Sequence, residues 1–546
     1  MVNTVPSLVW NWTLYAWLCT LVWLCARVFA YLCKNKRLYG MLRVFPSPPT
    51  LPLIGNVHTV FGNANGRVKK FLHIYDKYNK SPIVVWLSSF LPMLILTKLE
   101  DIQTVSSRCV DRDSMGLLKD SIGDGIVIAR AEKWKKTRRL INPAFSTSML
   151  QQYVLVFNQQ VKILVRKLRT EADTGRIFDV WQYMANANVD IITENITGSK
   201  LKTQENLGNE FSDALVKCLK LESSRLLLPW LLSPSLFYLY RVCTGNRKLF
   251  ETLHKLPKQV LQFKLREHNS KKTGSCAATP NHQADQLEPE AQVDVTATGT
   301  RVEAEPEAEP KTLIDILLRV HETDAAVFTQ KQIHDEMLNI IVTGSESTAV
   351  MGSFAILMLA IHQDAQQKAY EEVRKVVGAD GNRDLLMDDL AELTYLEQCI
   401  KETLRVFTLF PITLRKTSED IKLADERVIP KNCQVAMALH AIHRDPHFYP
   451  NPKQWNADNF SPQNVAKRPK NSFIPFGLGP RACIGSKYAI MSLKTQMAGI
   501  LYHYHLSTCV KFQHIVPCMD AVVRSKHGYP IQMSTRKPTS SASRSS

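Results

Sequence analysis

Paired cysteines are missing from this sequence: its twelve cysteines never form Cys-x-x-Cys or Cys-x-x-Cys-His. That absence leaves a zinc ribbon and a thioether-linked haem without support. Their scatter along a chain of 546 residues argues for a reducing compartment rather than a disulfide framework. No internal repeat occurs, so a solenoid or propeller is not expected. No nucleic-acid module accompanies the formal charge of +18. The excess of Lys and Arg points instead to a membrane surface or an acidic protein partner. No Lys or Arg precedes the first apolar run, and that run is long for the core of a cleaved leader, so a signal peptide is disfavoured.

The composition that remains, 45% apolar and 22% charged, suits a globular protein with a sizeable core. From Trp12 to Ala26 the chain carries no charge; Arg27 interrupts the run, which resumes to Cys33. Roughly 20 apolar residues span a bilayer, so residues 1–34 are expected to be a single-pass anchor. Lys34, Lys36 and Arg37 follow, which places the rest of the chain on the cytosolic side. Residues 35–55 then form a basic and proline-rich hinge, Pro46-Ser47-Pro48-Pro49-Thr50-Leu51-Pro52, stiffened by fixed φ angles.

Residues 56–536 read as one domain. The pattern predicts strands at 83–87 and 93–97 and helices over 150–168, 313–320, 328–361, 384–407 and from about 484 onward. Residues 270–311 are rich in Ala, Glu, Pro and Thr, too polar to bury a core; a disordered acidic insertion is expected there. Residues 537–546 form a Ser-rich tail.

The most informative stretch is Phe473-Ile474-Pro475-Phe476-Gly477-Leu478-Gly479-Pro480-Arg481-Ala482-Cys483-Ile484-Gly485. A cysteine follows a glycine-rich loop and opens an apolar helix. Glycines permit turns that other residues resist. A helix N-terminus and Arg481 favour a thiolate. Such a cysteine is poised as a metal ligand or a nucleophile. The bland alternative is an inert buried thiol.

Phe476-x-x-Gly479-x-Arg481-x-Cys483-x-Gly485 resembles the haem-binding signature of the cytochrome P-450 superfamily at every defined position. Three further segments resemble the same family. Trp134-Lys135-Lys136-Thr137-Arg138 is similar to its C-helix Trp-x-x-x-Arg, flanked by Gly123-Asp124-Gly125 and Asn142-Pro143-Ala144-Phe145. Glu402-Thr403-Leu404-Arg405 is similar to its K-helix Glu-x-x-Arg. Thr343-Gly344-Ser345-Glu346-Ser347-Thr348 is similar to the acid–alcohol segment of its oxygen-side helix. Taken alone, each has an ordinary reading: a solvated basic helix, a helical ion pair, or, for the last, a second membrane span. Glu346 in mid-span argues against the span.

The resemblance implies a mainly α fold with a small β-rich region and one haem b, held non-covalently on the Cys483 thiolate. It assigns Trp134, Arg138 and Arg481 to the propionates, and places Phe476, Gly479 and Gly485 in the haem loop. Glu402 and Arg405 become structural support. The family's third member of that network is an arginine; here the segment is Asp458-Asn459-Phe460, so the network is at most partial. Asp-Asn-Phe resembles invertebrate members of the fatty-acid ω-hydroxylase clan. Glu346 would feed protons toward oxygen, with Ser347 and Thr348 supplying hydroxyls that open a local kink. Thr343 stands where many ω-hydroxylase relatives have a haem-esterifying glutamate.

The implied activity is insertion of one atom of O2 into a lipophilic substrate at the endoplasmic reticulum membrane. Electrons would come from NADPH through the P-450 reductase, with cytochrome b5 as a second donor. Lys133, Lys135, Lys136, Arg139 and Lys487 would form the basic docking face. Two rival readings are a haem-thiolate isomerase or dehydratase acting on peroxides and a non-catalytic haem- or lipid-binding protein; no nucleic-acid partner is expected.

Overall fold

The computed structural model describes residues 5–51, 55–56, 70, 77, 81–87, 91–112, 116, 118–205, 210–225, 228, 231, 233–272, 312–324, 328–378, 383–519 and 522–536. The tail at 537–546 and all of the acidic insertion except 270–272 lie outside them; those three residues end a helix.

The elements that position the site are, in chain order, helices α1 (Val5–Lys34), α2 (Ala131–Ile141), α3 (Thr147–Thr174), α4 (Trp181–Thr197), α5 (Glu210–Arg225), α6 (Pro234–Cys243), α7 (Arg247–Lys272), α8 (Leu313–Thr323), α9 (Gln330–Ile361), α10 (Gln363–Val377), α11 (Thr394–Val406) and α12 (Ser486–His503). The strands are β1 (Ile83–Trp86), β2 (Pro92–Leu96), β3 (Phe178–Asp179), β4 (Ile412–Lys416), β5 (Gln434–Ala438), β6 (Tyr504–Ser507), β7 (Pro517–Met519), β8 (Val523–Ser525) and β9 (Pro530–Thr535). The predicted mainly helical architecture with a small β region is what forms.

The largest sheet runs β1-β2-β5-β4. β1 and β2 pair antiparallel with Ile83 opposite Ile95, while β2 and β5 pair parallel with Met93 opposite Gln434. Both predicted N-terminal strands are thus present. β2 is buried along its whole length, as expected of a strand covered on both faces. A second sheet, β3-β9-β6, closes against α3, and β7 and β8 make a hairpin.

Helix α9 is the axis of the core, packed most heavily against α4 and also against α7, α11 and α12. Thr329 starts it with a capping box: its hydroxyl accepts from Gln332 N at 3.3 Å, and Gln332 Oε1 accepts from Thr329 N at 2.7 Å. Apolar and long enough to span a bilayer, α9 is nevertheless buried. That removes the membrane-span alternative for this segment.

Helix α1 is the opposite case. Trp12, Trp17, Val22, Trp23 and Phe29 are all exposed. The helix is 30 residues long, more than the roughly 20 needed to cross a bilayer, and its Trp17–Lys34 stretch is apolar and unburied. A second exposed apolar stripe, Leu236, Leu239 and Val242, lies on α6, whose Phe237 is buried.

One predicted helix is divided. Residues 384–407 form Met387–Glu392 and then α11, separated at Leu393, whose ψ of 66° is non-helical. Glu372 explains the new start: its carboxylate accepts from Tyr395 N at 2.7 Å and Leu396 N at 2.9 Å, satisfying donors of the first turn of α11.

Candidate active site

The cysteine loop is folded by its glycines. Gly477 and Gly479 have φ of +76° and +74°, the left-handed region that other residues resist. At Gly479 a Cβ would lie 2.2 Å from the Ser106 carbonyl oxygen, so that position admits glycine alone. The turn closes when Cys483 N donates to Phe476 O at 2.9 Å. Helix α12 begins just beyond Gly485, as expected.

The Cys483 side chain is accessible yet surrounded by the body of the domain. Burial pushes its thiol up, while the Gly485 N–H, Arg138 and Arg112 pull it down toward the thiolate. Arg138 Nη1 donates to Ala482 O at 3.1 Å and so fixes the loop to α2. Trp134, one helical turn earlier on the same face, is buried, with the Arg481 guanidinium 4.5 Å above its ring. Arg481 reaches Val110 O at 2.7 Å and Ile126 O at 3.2 Å, and also bonds Ala129 O.

Two arginines that the sequence did not single out join this group. Arg112 donates to Val127 O at 3.1 Å and Arg415 to Leu414 O at 2.8 Å. The Nε atoms of both are buried and unpartnered. Burial together with mutual repulsion lowers Arg415 and Arg481 to about 9; burial lowers Arg112 to about 10, opposed by Cys483. Among the described residues, none of Arg112, Arg138, Arg415 and Arg481 is ion-paired to a carboxylate. Buried like charges without a counter-ion are costly. A ligand carrying two carboxylates, as haem b does, would supply the missing anions, and the accessible thiol would be available to its iron. The residues present fit that group. Arginine is common and carries no local signal, which is why Arg112 and Arg415 escaped the sequence reading.

The supporting pair forms as expected. Arg405 and Glu402 are wholly buried and joined by two hydrogen bonds of 2.7 Å. Arg405 also donates to the carbonyls of His443, Pro452 and Gln454. The pair therefore ties α11 to residues 443–459. Asn459 Nδ2 donates to Glu402 Oε1 at 3.0 Å, so the amide keeps the third arm of the network without its charge.

On α9, residues 335–360 are buried with three exceptions, Thr343, Gly344 and Ser347. These lie on one face at helical spacing, so the predicted polar segment is the half-buried part of an otherwise buried stretch. The segment stays within one continuous helix, Gln330–Ile361. Ser347 Oγ donates to Thr343 O at 2.6 Å and Thr343 Oγ1 to Asn339 O at 2.7 Å. Each hydroxyl thus bonds the carbonyl four residues back, the local competition with backbone donors open to Ser and Thr. Thr348 is buried.

Glu346 is buried on another face and paired with Arg524 of β8. Burial raises its carboxyl pKa and Arg524 opposes that rise. Nothing in the sequence joined residues this far apart. On the basic face, Lys135, Lys136, Arg139 and Lys487 are exposed. Lys133 is half-buried and held by Asp124 at 3.2 Å.

The family profile described as Cytochrome P450 matches residues 45–533. The chain belongs to the cytochrome P450 family. Among curated relatives it is 28% identical to Cytochrome P450 4g1 of Drosophila melanogaster, covering 93% of this chain and 92% of that protein. It is 27% identical to human Cytochrome P450 4V2 over 89% of this chain and 88% of that protein. With Cytochrome P450 4c21 of Blattella germanica the identity is 28%, over 88% and 90%. The protein is accordingly a P450 monooxygenase whose cofactor is haem b on a cysteine thiolate.

Proposed function

We propose that this P450 hydroxylates a lipophilic, fatty-acid-like substrate at the endoplasmic reticulum membrane, with Cys483 as the iron ligand and electrons delivered from NADPH by a membrane-bound reductase. The observation that carries the reading is the Cys483 thiol, held accessible by a glycine-closed loop beside arginines that have no carboxylate partner among the described residues. When bound, the haem supplies oxygen activation, with the thiolate donating electron density to the iron.

The protein's residues do the rest. Arg112, Arg138, Arg415 and Arg481 hold the two propionates, and Trp134 backs Arg481. Gly477 and Gly479 shape the loop. Glu402, Arg405 and Asn459 keep the segment before it in register. Ser347 offers its hydroxyl to the oxygen side, and Glu346 takes a proton from water and passes it on. Thr343 leaves no carboxylate to esterify the haem, so the cofactor is held non-covalently. Helix α1 anchors the chain, and the apolar stripe of α6 rests on the same membrane. Exposed Lys135, Lys136, Arg139 and Lys487 steer an acidic electron donor.

The test is reconstitution of purified protein with NADPH, P450 reductase, with and without cytochrome b5, and a series of fatty acids of increasing chain length. Hydroxylated product that requires both NADPH and reductase is the expected result. Product formed from a fatty-acid hydroperoxide without either would replace this reading with the isomerase one.

A further inference from the structure

The pairing of Glu346 with an arginine from the far end of the chain extends the proton-carrying role proposed above, on which the following rests. We propose that Arg524 is a positioning residue for the reaction: it holds the Glu346 carboxylate in place from the β7–β8 hairpin, and it sets the resting charge from which Glu346 takes up each proton.

Arg524 is itself held by a scaffold. Its guanidinium lies 4.1 Å from the centre of the Trp181 ring at the start of α4. Trp181 stacks on Tyr529 with centroids 6.4 Å apart. Asp179 ties both to one point, accepting from Trp181 N at 2.9 Å and from Tyr529 N at 3.1 Å. At Gly528 a Cβ would lie 2.1 Å from Asp179 Oδ2, so only glycine lets the turn approach this closely. On the other side of Arg524, Val523 N donates to Leu409 O at 3.0 Å and anchors the hairpin behind α11. Three separate segments thus converge to aim one guanidinium.

The need for that aim follows from where Glu346 sits. It lies midway along a buried helix, and Arg524 is the one cation paired with it among the described residues. An ionised carboxylate there without a partner would be costly and would turn neutral. The other titratable groups facing the pair are Tyr529 and, beyond it, Asp179. Neither carries positive charge, so neither can replace Arg524. A relay carboxyl has to start ionised to accept a proton and must return to that state. Arg524 provides the state to which it returns, and it does so without touching oxygen or substrate.

The experiment compares the full-length holoenzyme with R524M, R524K, E346Q and the double variant R524M/E346Q. The first readout is infrared difference spectroscopy of protonated carboxyl groups at neutral pH. R524M is expected to gain a protonated-carboxyl band that the wild type and R524K lack and that disappears in R524M/E346Q. The second is the pH profile of product formed per NADPH oxidised. E346Q should lower it by on the order of 100-fold, the low end for a lost general acid–base. R524M should lower it less and move the profile, R524K should restore it, and R524M should have no further effect in the E346Q background. An unchanged carboxyl spectrum in R524M, or fully additive losses in the double variant, would overturn the proposal. An E346Q enzyme that turns over normally would overturn the relay role itself, and with it the part given to Arg524, even where the infrared band shows the pair.

Discussion

Around Cys483, four arginines from separate segments converge and meet no ion-paired carboxylate among the described residues; on α9, the one carboxylate of the acid–alcohol segment meets its own arginine. The first region is left with positive charge and an accessible thiol. The second is neutral overall and closed on itself. Buried charge has to be compensated, so the difference separates two kinds of site. The cysteine side would be completed by an anionic cofactor, in the reading proposed above. The α9 side already holds its own counter-charge, with Glu346 paired to Arg524.

The contrast predicts effects of graded size. Replacing Cys483 with Ala should abolish monooxygenase activity outright, because nothing else there can bind the iron as a thiolate; product formation in the reconstituted system checks this. Next comes Arg405→Leu, which leaves Glu402 charged, buried and short of its partner. It should cost about 3–5 kcal/mol of stability, read from denaturant unfolding of the holoenzyme.

A finer test separates the two sides. Arg415→Met removes one of the unpaired cations, so haem binding should weaken by about 1.5–3 kcal/mol, the worth of one hydrogen bond to a charged group. The haem-free protein should melt no lower than the wild type, since a buried, uncompensated charge has gone. Titration with haem and thermal melts of both forms give the two numbers. Loss of apoprotein stability equal to the loss of haem affinity would dissolve the distinction.

The smallest effect is one of pH. Glu336 accepts from Ile126 N at 2.8 Å, and Ile126 O in turn accepts from Arg481. Burial pushes the Glu336 carboxyl up from 4.5 to about 8. The folded state therefore binds this proton more tightly than the unfolded chain. Its contribution to stability is full below the unfolded value and is lost as pH rises through about 8. Glu336→Gln should flatten that part of the stability profile, measured as unfolding midpoints across this range.

How much of this was legible in the sequence depended on locality. The cysteine loop, the Trp134–Arg138 turn and the Glu402–Arg405 turn each lie within about a dozen residues, so their resemblance to the family's motifs could be read locally. Asn459 was readable as a weakened third arm, and its amide does bond Glu402. The strands at 83–86 and 92–96 and the long helix at 330–361 followed from apolar patterning. What failed was long-range or conformational. Arg112, Arg415 and Arg524 become special only when the fold brings them to a thiol or an acid. The bonding of the α9 hydroxyls was not readable either: Ser347 and Thr343 each reach back to a carbonyl four residues earlier.

The central claim, that Cys483 is the thiolate on the iron, is tested most directly by the carbon monoxide difference spectrum of the reduced protein. The wild type should show the red-shifted Soret band of a thiolate-ligated haem, and C483A should lack it while C433A, altered at a buried cysteine on another wall of the fold, keeps it. A thiolate-type band that survives in C483A would contradict the account.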